Sequence, residues 1–210
     1  SQGGLQTLLI LGFLGTWRYS WAALNFTRAA IYHWYVYPRR KARAFARSRA
    51  LNVPSHAWFL VTTYMVGTES TIACYRALFA AAARARDGAT VVVSVVDGAD
   101  ERLIRTMYET CPDDMGRVEL VIDRIKSSGK RDALARALRI IARQAPTRHD
   151  IVIFVDGDTC VPIDVVEQSA PWFTNRNTGA LTTDEGVIIE KKNLFRDWFI
   201  LRFDQRQAMM

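Results

Sequence analysis

The 210-residue sequence predicts an α/β protein with a mostly parallel central sheet, preceded by a transmembrane helix and followed by an amphipathic helix. Three observations carry that expectation. Short β-branched runs alternate with helical patterns at regular spacing, as in a sheet covered on both faces. Each run closes on turn residues and polar groups, which gathers the chemistry at one edge. The charge is also divided: residues 1 to 68 hold eight Arg or Lys and no acid, leaving 20 bases against 21 acids in the remainder. The whole excess of +7 therefore belongs to the N-terminal segment, which argues against a nucleic-acid partner for the domain that follows.

From Leu5 to Tyr37 the sequence is apolar and aromatic. Gly3 to Trp17 is too short to span a bilayer, which takes about 20 residues. Tyr19 to Tyr37 is long enough, although Arg28 must snorkel or face other helices. Tyr19, Trp34, Tyr35 and Tyr37 suit interfacial belts. Residues 1–37 thus read as a truncated transmembrane segment, and Pro38 is expected to stop its helix. The basic run from Arg39 to Arg49 makes 38–55 a juxtamembrane linker on the cytosolic side. The competing reading is a soluble amphipathic helix docked on the domain.

Residues 56–190 read as that domain. Ala57 to Thr63, Thr90 to Val96, Val118 to Ile125 and the run beginning at Ile151 are four strands. Helices are expected near 70–86, 100–110 and 132–144, the last with Leu134, Leu138 and Ile141 on one face. Pro162 to Gln168 looks helical, and Gly179 to Thr183 looks like a short further strand. From Asn193, Leu194, Trp198 and Leu201 recur at helical spacing with Arg196, Arg202 and Arg206 between them. Residues 191–210 therefore read as an amphipathic interface helix, the alternative being one packed on its own domain. Cys74, Cys111 and Cys160 form no Cys-x-x-Cys pattern and read as reduced thiols. His33, His56 and His149 are too scattered for a zinc site.

The sharpest chemistry follows the fourth strand. Ile151 to Val155 is a buried-strand run, and Asp156-Gly157-Asp158 then places two carboxylates one residue apart. Such a pair suits one hard divalent cation such as Mg²⁺, which shares oxygen ligands with a substrate's phosphates. The bland alternative is an ordinary strand-ending turn. Thr62, Thr63, Asp97, Gly129, Lys130 and Asp184 also follow strands, where ligands of open α/β sheets collect. Together they could hold a base, a ribose, a diphosphate and a metal. No Gly-x-Gly-x-x-Gly follows the first strand and no Walker loop is present, which removes most support for hydride transfer and ATP hydrolysis.

Strand-Thr62-Thr63-Tyr64, strand-Asp97, Gly129-Lys130-Arg131-Asp132-Ala133-Leu134 and Val155-Asp156-Gly157-Asp158-Thr159 together resemble the GT-A domain of family-2 glycosyltransferases. Trp17-Arg18-Tyr19-Ser20, Pro171-Trp172-Phe173, Leu181-Thr182-Thr183 and Leu201-Arg202-Phe203 extend the resemblance, which covers essentially the whole chain. They point to the membrane-embedded polysaccharide synthases, and among them to the catalytic subunits of bacterial alginate (polymannuronate) polymerases. The resemblance implies that Asp97 contacts the base or ribose and that Lys130 sits near the diphosphate. Asp156 and Asp158 would bind Mg²⁺ or Mn²⁺ on it, and Asp184 would lie near the donor sugar. It also implies an inverting transfer from a nucleotide-sugar donor, GDP-mannuronate if the alginate likeness holds, to a polysaccharide acceptor. The implied location is the bacterial inner membrane with the domain in the cytosol, alongside a cyclic-diguanylate-binding companion subunit.

The sequence departs from the family pattern in three places. Val66 stands where an acid usually follows the first-strand tyrosine, with Glu69 nearby. Asp100 is separated from Asp97 by Gly98-Ala99. No acceptor-side base motif and no Gln-x-x-Arg-Trp occurs, so the chain reads as the donor half of a longer protein, inactive alone. Three alternatives compete: a UDP-sugar synthase of the cellulose or hyaluronan kind, a non-catalytic nucleotide-sugar-binding module, and an Asp-x-Asp-x-Thr phosphatase. The last fails because Cys160 holds the fifth position and the acids follow the fourth strand rather than opening the fold.

Overall fold

A computed structural model describes residues 2–51, 55–63, 66–126, 129–183, 186, 195–198 and 200. The chain divides into two compact units, residues 45–179 and residues 1–44 with 180–210.

The larger unit is built on four parallel strands: β1 (Ala57–Thr63), β2 (Ala89–Val95), β3 (Val118–Arg124) and β4 (Ile151–Asp156), in the order β3-β2-β1-β4. Val91-Val92-Val93 in β2 and Phe59-Leu60-Val61 in β1 are fully buried, as expected of central strands with both faces covered. Alternate residues face opposite ways. Phe59, Val61, Val91 and Val93 pack with Tyr75, Leu78 and Phe79 of α3 (Thr68–Arg84) and Ile104 of α4 (Gly98–Glu109). Trp58, Leu60 and Val92 pack on the other face against Ala137 and Ile141 of α5 (Lys130–Arg143). Those two layers agree with the expected elements to within two residues at each end.

Two expectations on this unit and its flank need correction. Gly179 to Thr183 forms no strand: residues 180–183 are exposed and pair with none of the four strands. A strand needs a partner ladder, and this short run has none among the described residues. Pro162 to Gln168 is replaced by a shorter α6 (Val165–Ser169) running into a 3₁₀ turn, Ala170–Thr174.

In the N-terminal segment, α1 (Gln2–Ile31) passes through a π-helical stretch, Tyr32–Val36, into α2 (Tyr37–Leu51). Pro38 therefore does not stop the helix. The Tyr37 amide donates to Tyr32 O, one residue further back than in an α-helix. Widening the turn there relieves the clash a proline ring makes with the carbonyl four residues earlier. Residues 38–51 are consequently helix rather than linker. Among the described residues no helix is long and apolar enough to cross a membrane; in the expected spanning segment the helix is continuous, but Arg18, Asn25, Thr27 and Arg28 interrupt its apolar run. Its surface is nonetheless aromatic: Trp17, Tyr19, Trp21, Phe26 and Trp34 are all exposed. Of the expected interface helix, residues 195–198 and 200 are helical, and the remainder of 191–210 lies outside the described residues.

Candidate active site

The chain builds β1, β2 and β3 outward in one direction and then returns to place β4 on the other side of β1. The strand order thus reverses between β1 and β4, and open α/β sheets bind ligands beyond the strand ends at such a point. Thr62 pairs in register with Asp156 across this junction. A cleft of about 280 Å³ opens there, lined by Thr62, Gly129, Lys130, Asp156, Gly157 and Asp158 among others.

The turn carrying the acids packs tightly on β1. A Cβ on Gly157 would lie 2.8 Å from Thr62 O, 3.0 Å from Thr63 Oγ1 and 3.1 Å from Thr63 Cα. Only glycine lets the chain pass so close, so the residue between the two acids is fixed by contact rather than by an unusual backbone angle. The Thr159 amide donates to Asp156 O at 2.9 Å and closes the turn. The Cys74 thiol lies below, 3.7 Å from the same carbonyl oxygen. Burial, reinforced by the neighbouring Cys160, pushes that thiol up to about 12, so Cys74 is a neutral packing group rather than a nucleophile.

Asp156 is exposed and accepts from Lys130 Nζ at 2.5 Å. Asp158 is also exposed and has no hydrogen-bond or ion-pair partner among the described residues. Lys130 opens α5, with Gly129 as its N-cap residue. The first backbone N–H groups of a helix have no intrahelical partner and carry the positive end of its dipole. This cleft therefore combines two carboxylates, an ammonium group and a helix N-terminus, a set suited to a phosphate group with a divalent cation.

The donor set fits such a cation. Among the described residues no cluster of three or more His, Cys, Asp or Glu could cage a metal by itself. Mg²⁺ does not require a cage, being held by one or two carboxylates together with substrate phosphates. Asp156 and Asp158 supply that minimum and lie on the cleft.

Not every expected site residue meets here. Thr63 is buried, and its hydroxyl shares a 2.7 Å hydrogen bond with Tyr75 Oη, so it anchors α3 to the strand end. Asp97 lies at the same sheet edge, beyond β2, but its carboxylate accepts from the Ala99 amide at 2.9 Å and caps α4. Asp97 is not part of the cleft wall. Asp100 follows in the first turn of α4, and burial, aided by the Asp97 charge, raises its pKa. Asp184 lies outside the described residues.

Two residues at this sheet edge were not singled out in the sequence, one in the cleft and one beside it. Ser94 of β2 lines the cleft. Arg124, the last residue of β3, lies over Gly98, where an added Cβ would stand 3.2 Å from its guanidinium. The strand-end rule that found Asp97 would have found Arg124. A larger groove of about 410 Å³ lies beside it, lined by Arg124, Lys126, Asp132, Arg136 and Arg139, and shares Ile125 and Ala133 with the acid cleft. It lacks the paired carboxylates, so the smaller cleft is the candidate site.

Residues 54–210 match the family described as Glycosyltransferase like family 2, and the chain belongs to it. Its relatives include Glycosyltransferase alg8 of Pseudomonas syringae pv. tomato, 35% identical over 207 residues, covering 97% of this chain and 41% of that protein. Glycosyltransferase alg8 of Azotobacter vinelandii is 34% identical over 168 residues, covering 79% of this chain and 33% of that protein. The chain thus spans well under half the length of either relative.

Proposed function

We propose that the chain is the donor-binding part of a membrane-bound, processive polysaccharide synthase, transferring a sugar from a nucleotide-sugar donor to a growing polysaccharide with inversion. The observation that carries this reading is the meeting of Asp156, Asp158, Lys130 and the α5 N-terminus in one cleft at the β1–β4 junction. Asp156 and Asp158 would hold Mg²⁺ or Mn²⁺ against the donor's diphosphate. When bound, the ion neutralises charge on the departing nucleoside diphosphate. Lys130 and the α5 amides face the same oxygens and add charge-assisted hydrogen bonds. Gly157 keeps the acid turn against β1, and Thr63 with Tyr75 fixes the strand end beneath it. Asp97 and Asp184 are assigned to the base or ribose and to the donor sugar through the family resemblance.

GDP-mannuronate is the proposed donor, because the stretches shared with alginate polymerases favour it over a UDP-sugar. The same likeness supports a polysaccharide acceptor, a bacterial inner-membrane location with a cytosolic domain, and a cyclic-diguanylate-binding companion subunit. Membrane association gains independent support from the exposed aromatic surface of α1 and the basic α2 after it, since contiguous apolar patches on soluble proteins are rarely large.

The test is sugar transfer by the full-length protein in membrane vesicles, with labelled GDP-mannuronate and with UDP-glucose as the competing donor. Asp158→Asn is expected to lower transfer at least about a hundredfold, the effect of losing several kcal/mol of charge stabilisation. Undiminished transfer by that variant would overturn the assignment.

A further inference from the structure

One acid of the pair already has a cation. Lys130 Nζ lies 2.5 Å from Asp156 Oδ1, whereas Asp158 has no partner among the described residues. A divalent cation shared by both acids would be left the other oxygen of Asp156 and would sit close to an ammonium that repels it, so Lys130 competes with it for that carboxylate. The two acids are therefore unequal: one open, one occupied.

We propose that Lys130 is the resident counter-ion of the cation site, and that its transfer to a diphosphate makes divalent-cation binding conditional on the nucleotide. The inference rests on the metal-diphosphate reading above and adds an order of events to it. Three features of the cleft support it. First, among the described residues no third carboxylate is at hand to hold a bare cation once Lys130 competes for Asp156. Second, Lys130 is the first residue of α5, so a diphosphate drawn to that helix end arrives within reach of the ammonium. Leaving Asp156 for a phosphate oxygen keeps the lysine paired throughout. Third, the Lys130 and Asp156 side chains are 60% and 57% exposed, and exposed pairs of this kind are weak. The pair is enough to bias the site and too weak to lock it. A lysine suits such an exchange, being a point charge on a flexible stem rather than a planar fork held by two bonds.

Linkage makes the proposal measurable: whatever factor the nucleotide adds to cation affinity, the cation must add to nucleotide affinity. Mn²⁺ binding to the full-length protein is followed by electron paramagnetic resonance, alone and with GDP, correcting for Mn²⁺ held by free GDP. In the native protein Mn²⁺ alone is expected to bind weakly and GDP to strengthen it markedly. Lys130→Gln should bind Mn²⁺ alone about threefold to fivefold more tightly, the fold-change that corresponds to removing an exposed ion pair, and should gain less from GDP. Lys130→Arg retains the counter-ion and should keep Mn²⁺ alone weak. Equal or weaker binding of Mn²⁺ alone by Lys130→Gln overturns the counter-ion role. Asp158→Asn separates the two levels of the argument. If it leaves Mn²⁺ binding in the presence of GDP unchanged, the metal-diphosphate reading itself is lost. If it abolishes that binding while Lys130→Gln shows no gain, only the counter-ion role is lost.

Discussion

The two ends of the same four-stranded sheet use similar residues to opposite effect. At the end where the strands begin, Asp150 accepts from the Thr147 amide at 2.9 Å, the Thr147 hydroxyl at 2.7 Å, the Trp58 indole at 3.3 Å and the His56 amide at 3.4 Å. His56 Nε2 is 2.9 Å from Thr90 Oγ1, and Ser55 donates from Oγ to His149 O at 2.6 Å. These groups tie β1, β2 and the approach to β4 together. At the end where the strands finish, Asp158 has no partner among the described residues and Asp156 has only an exposed lysine. Satisfied acids staple the fold, and acids left open can take a ligand. An unsatisfied carboxylate is tolerable there because water solvates it until something else arrives.

That contrast is broken most severely at the acid turn. Gly157→Ala pushes a methyl against the Thr62 carbonyl and the Thr63 backbone, which cannot swing aside as a flexible side chain can. The expected result is a loss of up to about 3 kcal/mol of stability and of nucleotide binding, measured by thermal denaturation and by GDP titration. Gly98→Ala is the control, because its new methyl meets the end of the Arg124 side chain. That guanidinium can move, and alanine is favoured within a helix, so stability should hold. Equal damage from both substitutions would show that the Gly157 contact is not what fixes the turn.

The next effect belongs to the stapled end. Asp150→Asn keeps the shape but replaces a charged acceptor that serves four donors. It should cost about 2 kcal/mol, lowered from the full value because the carboxylate is partly solvated, or roughly 4–8 °C in melting temperature. Sugar transfer at permissive temperature should be unaffected, the reverse of Asp158→Asn. The pH dependence has a definite sign. Burial works against the Asp150 charge, but the bonds from Thr147, Trp58 and His56 outweigh it and hold the pKa below its ordinary value. A folded pKa below the unfolded one stabilises above the unfolded value, about 3.9, and that contribution fades as pH falls through the folded value. Native protein and Asp150→Asn should therefore differ fully near pH 6 and converge once the pH has fallen through the lowered folded-state value. A gap that persists in acid would mean the staple does not depend on charge.

Much of this division was readable in the sequence. The four strands were legible because they are short β-branched runs ended by turn residues, and Asp156, Asp158 and Lys130 converge because strand ends of a parallel sheet share an edge. What was not legible depends on tertiary partners. Nothing local says that the Thr63 hydroxyl is taken by Tyr75, or that Asp97 is turned to cap its own helix. Pro38 looked like a helix stop because proline usually is one, and the π-turn that accommodates it has no pattern of its own. Gly179 to Thr183 has the composition of a strand, but composition supplies no neighbour. Arg124 ends β3 and so obeys the same strand-end rule, but nothing local in the sequence says that its guanidinium reaches across to Gly98.

The smallest effect tests whether the basic groove beside the site belongs to either side of the comparison. Arg136 donates to both Asp123 oxygens, Nη2 at 2.7 Å and Nε at 2.8 Å. These bonds hold the Asp123 carboxyl below its usual pKa, but the arginine side chain is half exposed. Exposed pairs contribute little and are screened by salt. Arg136→Ala should thus lower the melting temperature by no more than about 2 °C, and about 0.5 M NaCl should erase much of that difference. Nucleotide binding should not change, because the acid cleft does not use Arg136. A fall in GDP affinity without a change in melting temperature would instead place the groove in the donor site, and the open end of the sheet would extend across β3 as well as the β1–β4 junction.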